Sequence, residues 1–334
     1  MTARLFLSRR SWSVAAALAV VVVLAGTAHA AKPKAASNKP TTAAKEPVGI
    51  RLQRASVNIR CETSLGGVQG SGSLIIVEID GKKTTWVLTA HHVVEDLRHV
   101  RTVIGPKGDE RKQVYYDDAE IVQEQVENGR VVGEIKFSAK VVNVDPRRDI
   151  ALLRVRKDDL GPSVRSVTFY LDDQIPVPGT PVLHCGAPGG SSIGGSCSLT
   201  HGIVSRIGVT IKEFGGSEHG VFDQVDCPAL GGSSGGMVVL QSDGRWIGML
   251  TLGLRGGADN FHWIVPVRSV RQWAKEVGVE WLLDPKAPRP TQADLDKIPL
   301  ELDPAGYSSR AAEKPTKPAQ AGRAVLSPSI HVEP

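Results

Sequence analysis

The chain has 334 residues, of which 41% are apolar and 22% charged, enough for one or two globular domains with a sizeable core. Its formal charge of +5 falls to +2 once the three arginines of the amino-terminal segment are set aside, which leaves no footprint for nucleic acid. The four cysteines, Cys61, Cys185, Cys197 and Cys227, lack the C-x-x-C pairs of a zinc site, so a structural metal is not expected.

In chain order, Arg4, Arg9 and Arg10 precede the apolar run "VAAALAVVVVLA" from Val14 to Ala25, and Ala28-His29-Ala30 supplies an A-x-A cleavage pattern. The run is shorter than the ~20 residues of a spanning helix. Residues 1–30 therefore read as a signal peptide cut after Ala30, with no stable membrane span afterwards; the adjacent arginines in "SRRSW" also fit a twin-arginine export signal. An uncleaved anchor is the alternative, and either way the remainder lies outside the cytoplasm, periplasmic or extracellular. There the cysteines can oxidise, and four of them allow three full connectivities. Residues 31–47, "AKPKAASNKPTTAAKEP", have almost nothing to bury and read as a disordered leader.

From residue 48 to about 284, short apolar or β-branched runs such as "GSGSLIIVEID", "TTWVLTA", "IALLRV", "GMVVLQ" and "RWIGMLTLG" alternate with glycine and polar turns. Runs of this length and spacing predict an all-β protein, a sandwich or barrel set, with room for one large barrel or two smaller ones. Lys107 to Gly133 is charged and weakly periodic and reads as hairpins or a surface excursion. Behind Pro266, Val267, Val270, Trp273 and Ala274 share one helical face, so an amphipathic helix is expected to close the domain. Residues 285–334 are rich in proline, alanine and charge without a period, the pattern of a disordered tail.

Three segments carry chemistry. A serine hydroxyl attacks a carbonyl only if a neutral imidazole takes its proton, a carboxylate orients that imidazole, and donors meet the developing oxyanion. In "GGSSGGMV", Ser234 precedes the Gly235-Gly236 pair and is the candidate nucleophile. Ser233 should turn away, and the tight turn can aim the Gly232 and Ser234 amides at one point as an oxyanion hole. "WVLTAHHVVEDL" carries two histidines where a strand passes into a helical turn, and "DPRRDIALLRV" places Asp149 at the mouth of a buried strand.

Together these segments resemble the chymotrypsin-fold serine proteases, most closely the bacterial high-temperature-requirement, Deg-type branch. The T-x-x-H motif matches Thr89-Ala90-His91-His92 and selects His92 as base. D-[IL]-A-L matches Asp149-Ile150-Ala151-Leu152, and G-[ND]-S-G-G matches Gly232-Ser233-Ser234-Gly235-Gly236, in the family's order His, Asp, Ser. "GAPGGSSIGGSCSLTHGIVS" and "FHWIVPV" look like later strands of the same family, so the likeness runs over about residues 50 to 280.

The resemblance implies two six-stranded antiparallel β-barrels with a C-terminal helix: a first barrel over 48–160 carrying His and Asp, and a second over 161–284 carrying Ser and the closing helix. It implies a serine endopeptidase acting on protein or peptide substrates through an acyl-enzyme, with no cofactor. The place of the aspartate that pairs with a new amino terminus in digestive proteases is held by Ser233, so that activation switch is expected to be absent. A proline-rich tail stands where Deg-type proteins usually carry PDZ domains.

Six residues before Ser234 stands Pro228, followed by Ala229, which disfavours cleavage after Arg or Lys. With Thr251, Gly253 and Phe261 they suggest a shallow apolar pocket for small or aliphatic side chains. Asp226 is expected to be structural. A disulfide from Cys197 to Cys185 or Cys227 is implied, with Cys61 free, and His184 and His262 are expected to be surface or packed histidines. The rival reading is a non-catalytic peptide-binding or scaffold protein of the same fold, and an esterase is a third. Oligomeric state is not legible.

Overall fold

A computed structural model describes residues 46–63, 66–127, 130–156, 160–189, 197–211, 220–253 and 260–297. The signal peptide, the leader up to residue 45 and the tail beyond 297 lie outside the described residues.

The first barrel is built from β1 (Ser56–Thr63), β2 (Gly66–Ile79), β3 (Lys82–Thr89), β6 (Asp118–Glu127), β7 (Arg130–Asp145) and β8 (Ile150–Val155). These strands close in the order β1-β2-β3-β8-β7-β6. All six residues of β8 are buried because the strand lies between β3 and β7. A separate hairpin, β4 (Arg98–Ile104) with β5 (Glu110–Tyr116), stands between β3 and β6 in the chain.

The second barrel uses β9 (Pro181–Gly186), β10 (Ser198–Val209), β11 (Phe222–Val225), β12 (Met237–Leu240), β13 (Trp246–Gly253) and β14 (His262–Pro266), closing as β10-β11-β14-β13-β12-β9. All ladders in both barrels are antiparallel. This is the chymotrypsin-like fold. One core cluster joins the first barrel to the helical end of the chain, and a smaller one, with Val182, Val225, Cys227, Val238 and Ile264, fills the second barrel.

Four α-helices lie among the described residues, α1 (Val48–Gln53), α2 (His91–Val94), α3 (Val267–Glu276) and α4 (Gln292–Asp296), with 3-10 turns at Glu95–Leu97 and Glu280–Leu282. Helix α3 follows Pro266 and buries Val267, Val270, Trp273 and Ala274, the face that the sequence period predicts. After it, Trp281 packs edge-on against Trp86 of β3, ring centres 5.6 Å apart.

Three expectations change. Of the two readings of residues 107–133, hairpins hold, β4 with β5 and β6 with β7, but much of the segment is barrel wall rather than a surface excursion: β6 pairs with β1 to close the first barrel and buries Ile121, Val122 and Val126. Its alternation is hidden by Gln123, which is fully buried and donates to the Arg54 carbonyl at 3.2 Å.

Second, residues 285–297 do not begin a disordered tail but strap the first barrel. Arg289 Nη1 donates to the Glu78 carbonyl at 2.9 Å and Arg154 Nη1 to the Leu295 carbonyl at 2.7 Å. Leu295 is fully buried, and Thr291 and Asp294 form a capping box that starts α4.

Third, all four cysteines are buried free thiols rather than disulfide partners. Cys227 points into the second barrel's core while Cys185 and Cys197 belong to the other cluster, and the Cys197 thiol faces the Ser56 carbonyl at 3.6 Å.

Candidate active site between the barrels

Strand β3 ends at Thr89, and the chain turns at Ala90 into the single helical turn α2. That turn is anchored by Val93 and Val94, both fully buried, and His92 stands beside them with 39% of its side chain exposed. Asp149 sits in the turn ahead of β8. There Asp145 Oδ1 accepts from the Arg147 and Arg148 amides at 3.0 and 3.1 Å, and Asp149 itself takes φ +56°, a left-handed conformation that aspartate tolerates better than most residues.

The Asp149 carboxylate accepts from three donors. The His92 amide donates to Oδ1 at 2.9 Å, His92 Nδ1 bonds Oδ2 at 2.8 Å, and the Thr251 hydroxyl, from β13, also donates to Oδ2. An ionised carboxylate only accepts, so Nδ1 carries the proton and Nε2 keeps its lone pair. Burial alone would lower the His92 pKa, but the bond to Asp149 and its charge outweigh burial and raise it above the ordinary histidine value of 6.5.

The serine loop comes from the second barrel. Ser233 is fully buried, its Oγ accepting from the Leu230 amide at 3.3 Å, while Ser234 is half-buried. Gly232 and Gly235 take φ +93° and +82°, which explains glycine at both places. Strand β2 holds the loop against the first barrel, the Ser71 amide donating to the Ser234 carbonyl at 2.7 Å.

A Cβ on Gly235 would run into Ser71 O and Thr89 Oγ1 and lie 3.2 Å from the Ala90 amide. Gly235 also donates to the Leu250 carbonyl at 2.7 Å, and Leu250 adjoins the Thr251 that holds Asp149. The fold thus brings His92, Asp149 and the Ser234 loop to one place through a closed ring of contacts.

The candidate pocket residues are less uniform. Thr251 is buried with its hydroxyl on Asp149. Pro228 is exposed, its carbonyl accepting from Thr200 Oγ1 at 2.8 Å, and Ala229 packs partly against the second core. Phe261 is 46% exposed, and the His262 ring lies against Gly253, Cδ2 being 2.7 Å from where a Cβ would stand. Asp226 accepts from the Ile203 amide at 2.5 Å, a structural role.

One residue has a role other than the one expected of it: Thr251, read from the sequence as lining the specificity pocket, has its hydroxyl on Asp149, and nothing in its neighbours signals that bond. His184 is fully enclosed beneath the serine loop, its Nε2 2.7 Å from where a Gly236 Cβ would stand, and burial pushes its pKa down to about 4. Burial likewise pushes Cys61, Cys185 and Cys227 up to about 12, so none of these thiols is a ready nucleophile. Among the described residues no group of three or more His, Cys, Asp and Glu is placed to hold a metal ion.

An Asp–His pair on one barrel facing a glycine-flanked serine on a second is the arrangement of the chymotrypsin-like serine peptidases. The chain belongs to the trypsin-like peptidase domain family, whose pattern matches residues 70–249. It is 27% identical over 224 residues to the Do-like 14 protein of Arabidopsis thaliana, covering 66% of this chain and 44% of that protein. It is also 31% identical over 119 residues to the uncharacterised protein y4bJ of Sinorhizobium fredii, covering 36% of this chain and 17% of that one. The chain thus spans less than half the length of these relatives.

Among solved structures it is similar to the serine endoprotease from Yersinia pestis, at 21% identity and TM-score 0.45, covering 69% of this chain and 64% of that one. It is similar also to the HtrA-type protease AlgW with tripeptide, at 23% identity and TM-score 0.47, covering 70% and 62%.

Proposed function

We propose that the protein is an exported serine endopeptidase in which Ser234 is the nucleophile, His92 the base and Asp149 its orienting acid. The observation that carries this reading is the 2.8 Å bond from His92 Nδ1 to Asp149, made beside the glycine-flanked serine loop. Ser234 Oγ attacks the peptide carbonyl carbon as its proton passes to His92 Nε2, and the Gly232 and Ser234 amides receive the oxyanion. As the C–N bond breaks, His92 returns the proton to the leaving amine and an acyl-enzyme remains. Water then attacks the ester, His92 again taking and returning a proton, and the acid product leaves with Ser234 restored.

The reading includes cleavage after small or aliphatic residues, which rests on the absence of an acidic residue at position 228. Pro228 offers no charge to a basic side chain, and the His262 ring lies against Gly253. Export rests on the sequence of residues 1–30 and is tested by fractionating cells and sequencing the mature amino terminus. Among the described residues no helix is long and apolar enough to cross a membrane.

The activity is tested by adding a fluorophosphonate probe to residues 31–334, beside Ser234→Ala and His92→Ala. The expected result is labelling of wild type alone together with cleavage of an unfolded protein. Folded wild-type protein that takes no label would overturn the reading, and labelling without peptide cleavage would replace it with an esterase.

A further inference from the structure

The Ser71 hydroxyl lies outside the three residues that perform the chemistry, yet it is fully buried at the point where the first barrel meets the serine loop. We propose that Ser71 is a positioning residue that sets the oxyanion-binding amides of Gly232 and Ser234 from the opposite barrel. This rests on the serine-endopeptidase reading above.

In a trans peptide the N–H and C=O point in opposite directions, so whatever holds a carbonyl aims the amide of the next residue. The Gly231 carbonyl accepts from the Gly189 amide at 2.6 Å, which turns the Gly232 N–H away from Gly189. The Ser233 carbonyl accepts from the Gly236 amide at 2.9 Å, which turns the Ser234 N–H away from Gly236. Neither the Gly232 nor the Ser234 amide donates to a main-chain carbonyl among the described residues.

Whether those two N–H groups converge depends on the torsions between them, including ψ of Gly232 and φ of Ser233. These flank the Gly232–Ser233 peptide. Its N–H end is held by the Leu230 carbonyl at 3.0 Å, and its C=O end by Ser71 Oγ at 2.8 Å.

The hydroxyl is itself fixed in one orientation. It accepts from the Ala187 amide at 2.8 Å while donating to Gly232, and Ala187 is two residues from the Gly189 that holds Gly231. The Ser71 main chain adds the bond to the Ser234 carbonyl and accepts from Thr89 Oγ1 at 2.7 Å, beside the turn that carries His92. Ser71 therefore touches the loop on both sides of Ser233 and the strand end leading to the base. A glycine at 232 makes this anchor necessary, because that residue has no side chain to restrict its own ψ.

The test compares wild type, Ser71→Ala and Ser71→Cys on one fluorogenic peptide, with active sites titrated, and measures inhibition by a peptide boronic acid, whose tetrahedral adduct uses the same amides. For Ser71→Ala the expected result is a loss of kcat of about tenfold or more with KM within about twofold. Boronate affinity should weaken by the same factor as kcat/KM. Ser71→Cys, which keeps a weak donor of similar size, should recover part of both.

Ser71→Ala with wild-type kcat and boronate affinity per active site overturns the inference, even if its melting temperature falls. If Ser71→Ala does not fold, Ser71→Cys decides: kcat and boronate affinity weakened together support the inference, and wild-type values of both overturn it. A wild type that neither cleaves the peptide nor labels with fluorophosphonate overturns the endopeptidase reading itself.

Discussion

The two halves of the site are held in different ways. On the first barrel, His92 and Asp149 are fixed by bonds to the Asp149 carboxylate; on the second, the serine loop is fixed almost wholly by main-chain bonds around glycines. The His92–Asp149 half needs particular functional groups at set distances, and so is sensitive to chemistry. The serine half needs backbone angles that only glycine adopts easily, and so is sensitive to any added Cβ. Thr251 on one side and Ser71 on the other cross between them, and each is a polar side chain reaching from the opposite barrel.

That contrast can be broken most severely at its ends. Ser234→Ala and His92→Ala should each lower kcat/KM by about 10⁴-fold or more while leaving the melting temperature nearly unchanged, and the double variant should be no worse than either single one, as for residues acting as a unit. Gly235→Ala should cost both activity and fold, since φ is +82° and the added methyl meets Ser71 O and Thr89 Oγ1. A urea titration is expected to show a lower midpoint with loss of more than about 1 kcal/mol.

Thr251→Val removes one donor from the Asp149 carboxylate at almost constant size, and a bond to a charged group is worth about 1.5–3 kcal/mol. A kcat loss of about tenfold with the fold intact is expected by steady-state assay. Smallest is Arg148→Ala. It breaks the pair with Glu276 at 2.6 Å that ties the Asp149 turn to α3, but the pair is partly exposed, so kcat should change by less than about threefold.

The parts legible in the sequence are those whose demands are local. His92, Asp149 and Ser234 each sit in a string whose neighbours are required by its own turn, and α3 shows its buried face as a helical period. What stayed hidden depends on groups far apart in the chain. Thr251 meets Asp149 across 102 positions and Ser71 meets Gly232 across 161, and neither residue is unusual among its neighbours.

Strand β6 hid behind buried Gln123, which accepts from half-buried Gln125 and donates to the Arg54 carbonyl and so breaks the apolar alternation. The strap from 285 to 297 hid because its docking uses a buried leucine and arginine side chains donating to main-chain carbonyls, too little apolar content for a pattern. Of the cysteines, Cys227 misled because spacing cannot tell that its thiol faces a different core from those of Cys185 and Cys197.

The central claim is that the base on one barrel activates the serine on the other, and the pH dependence of fluorophosphonate labelling tests it directly. The labelled residue is mapped by mass spectrometry and the inactivation rate followed from acid to neutral pH. Because Asp149 raises the His92 pKa, and only neutral His92 can take the proton, the rate should fall about tenfold per pH unit below an inflection above 6.5. The label should lie on Ser234, and His92→Ala should abolish the inflection along with the rate. Labelling of another residue, or a rate on Ser234 that is flat across this range and indifferent to His92, would contradict the account.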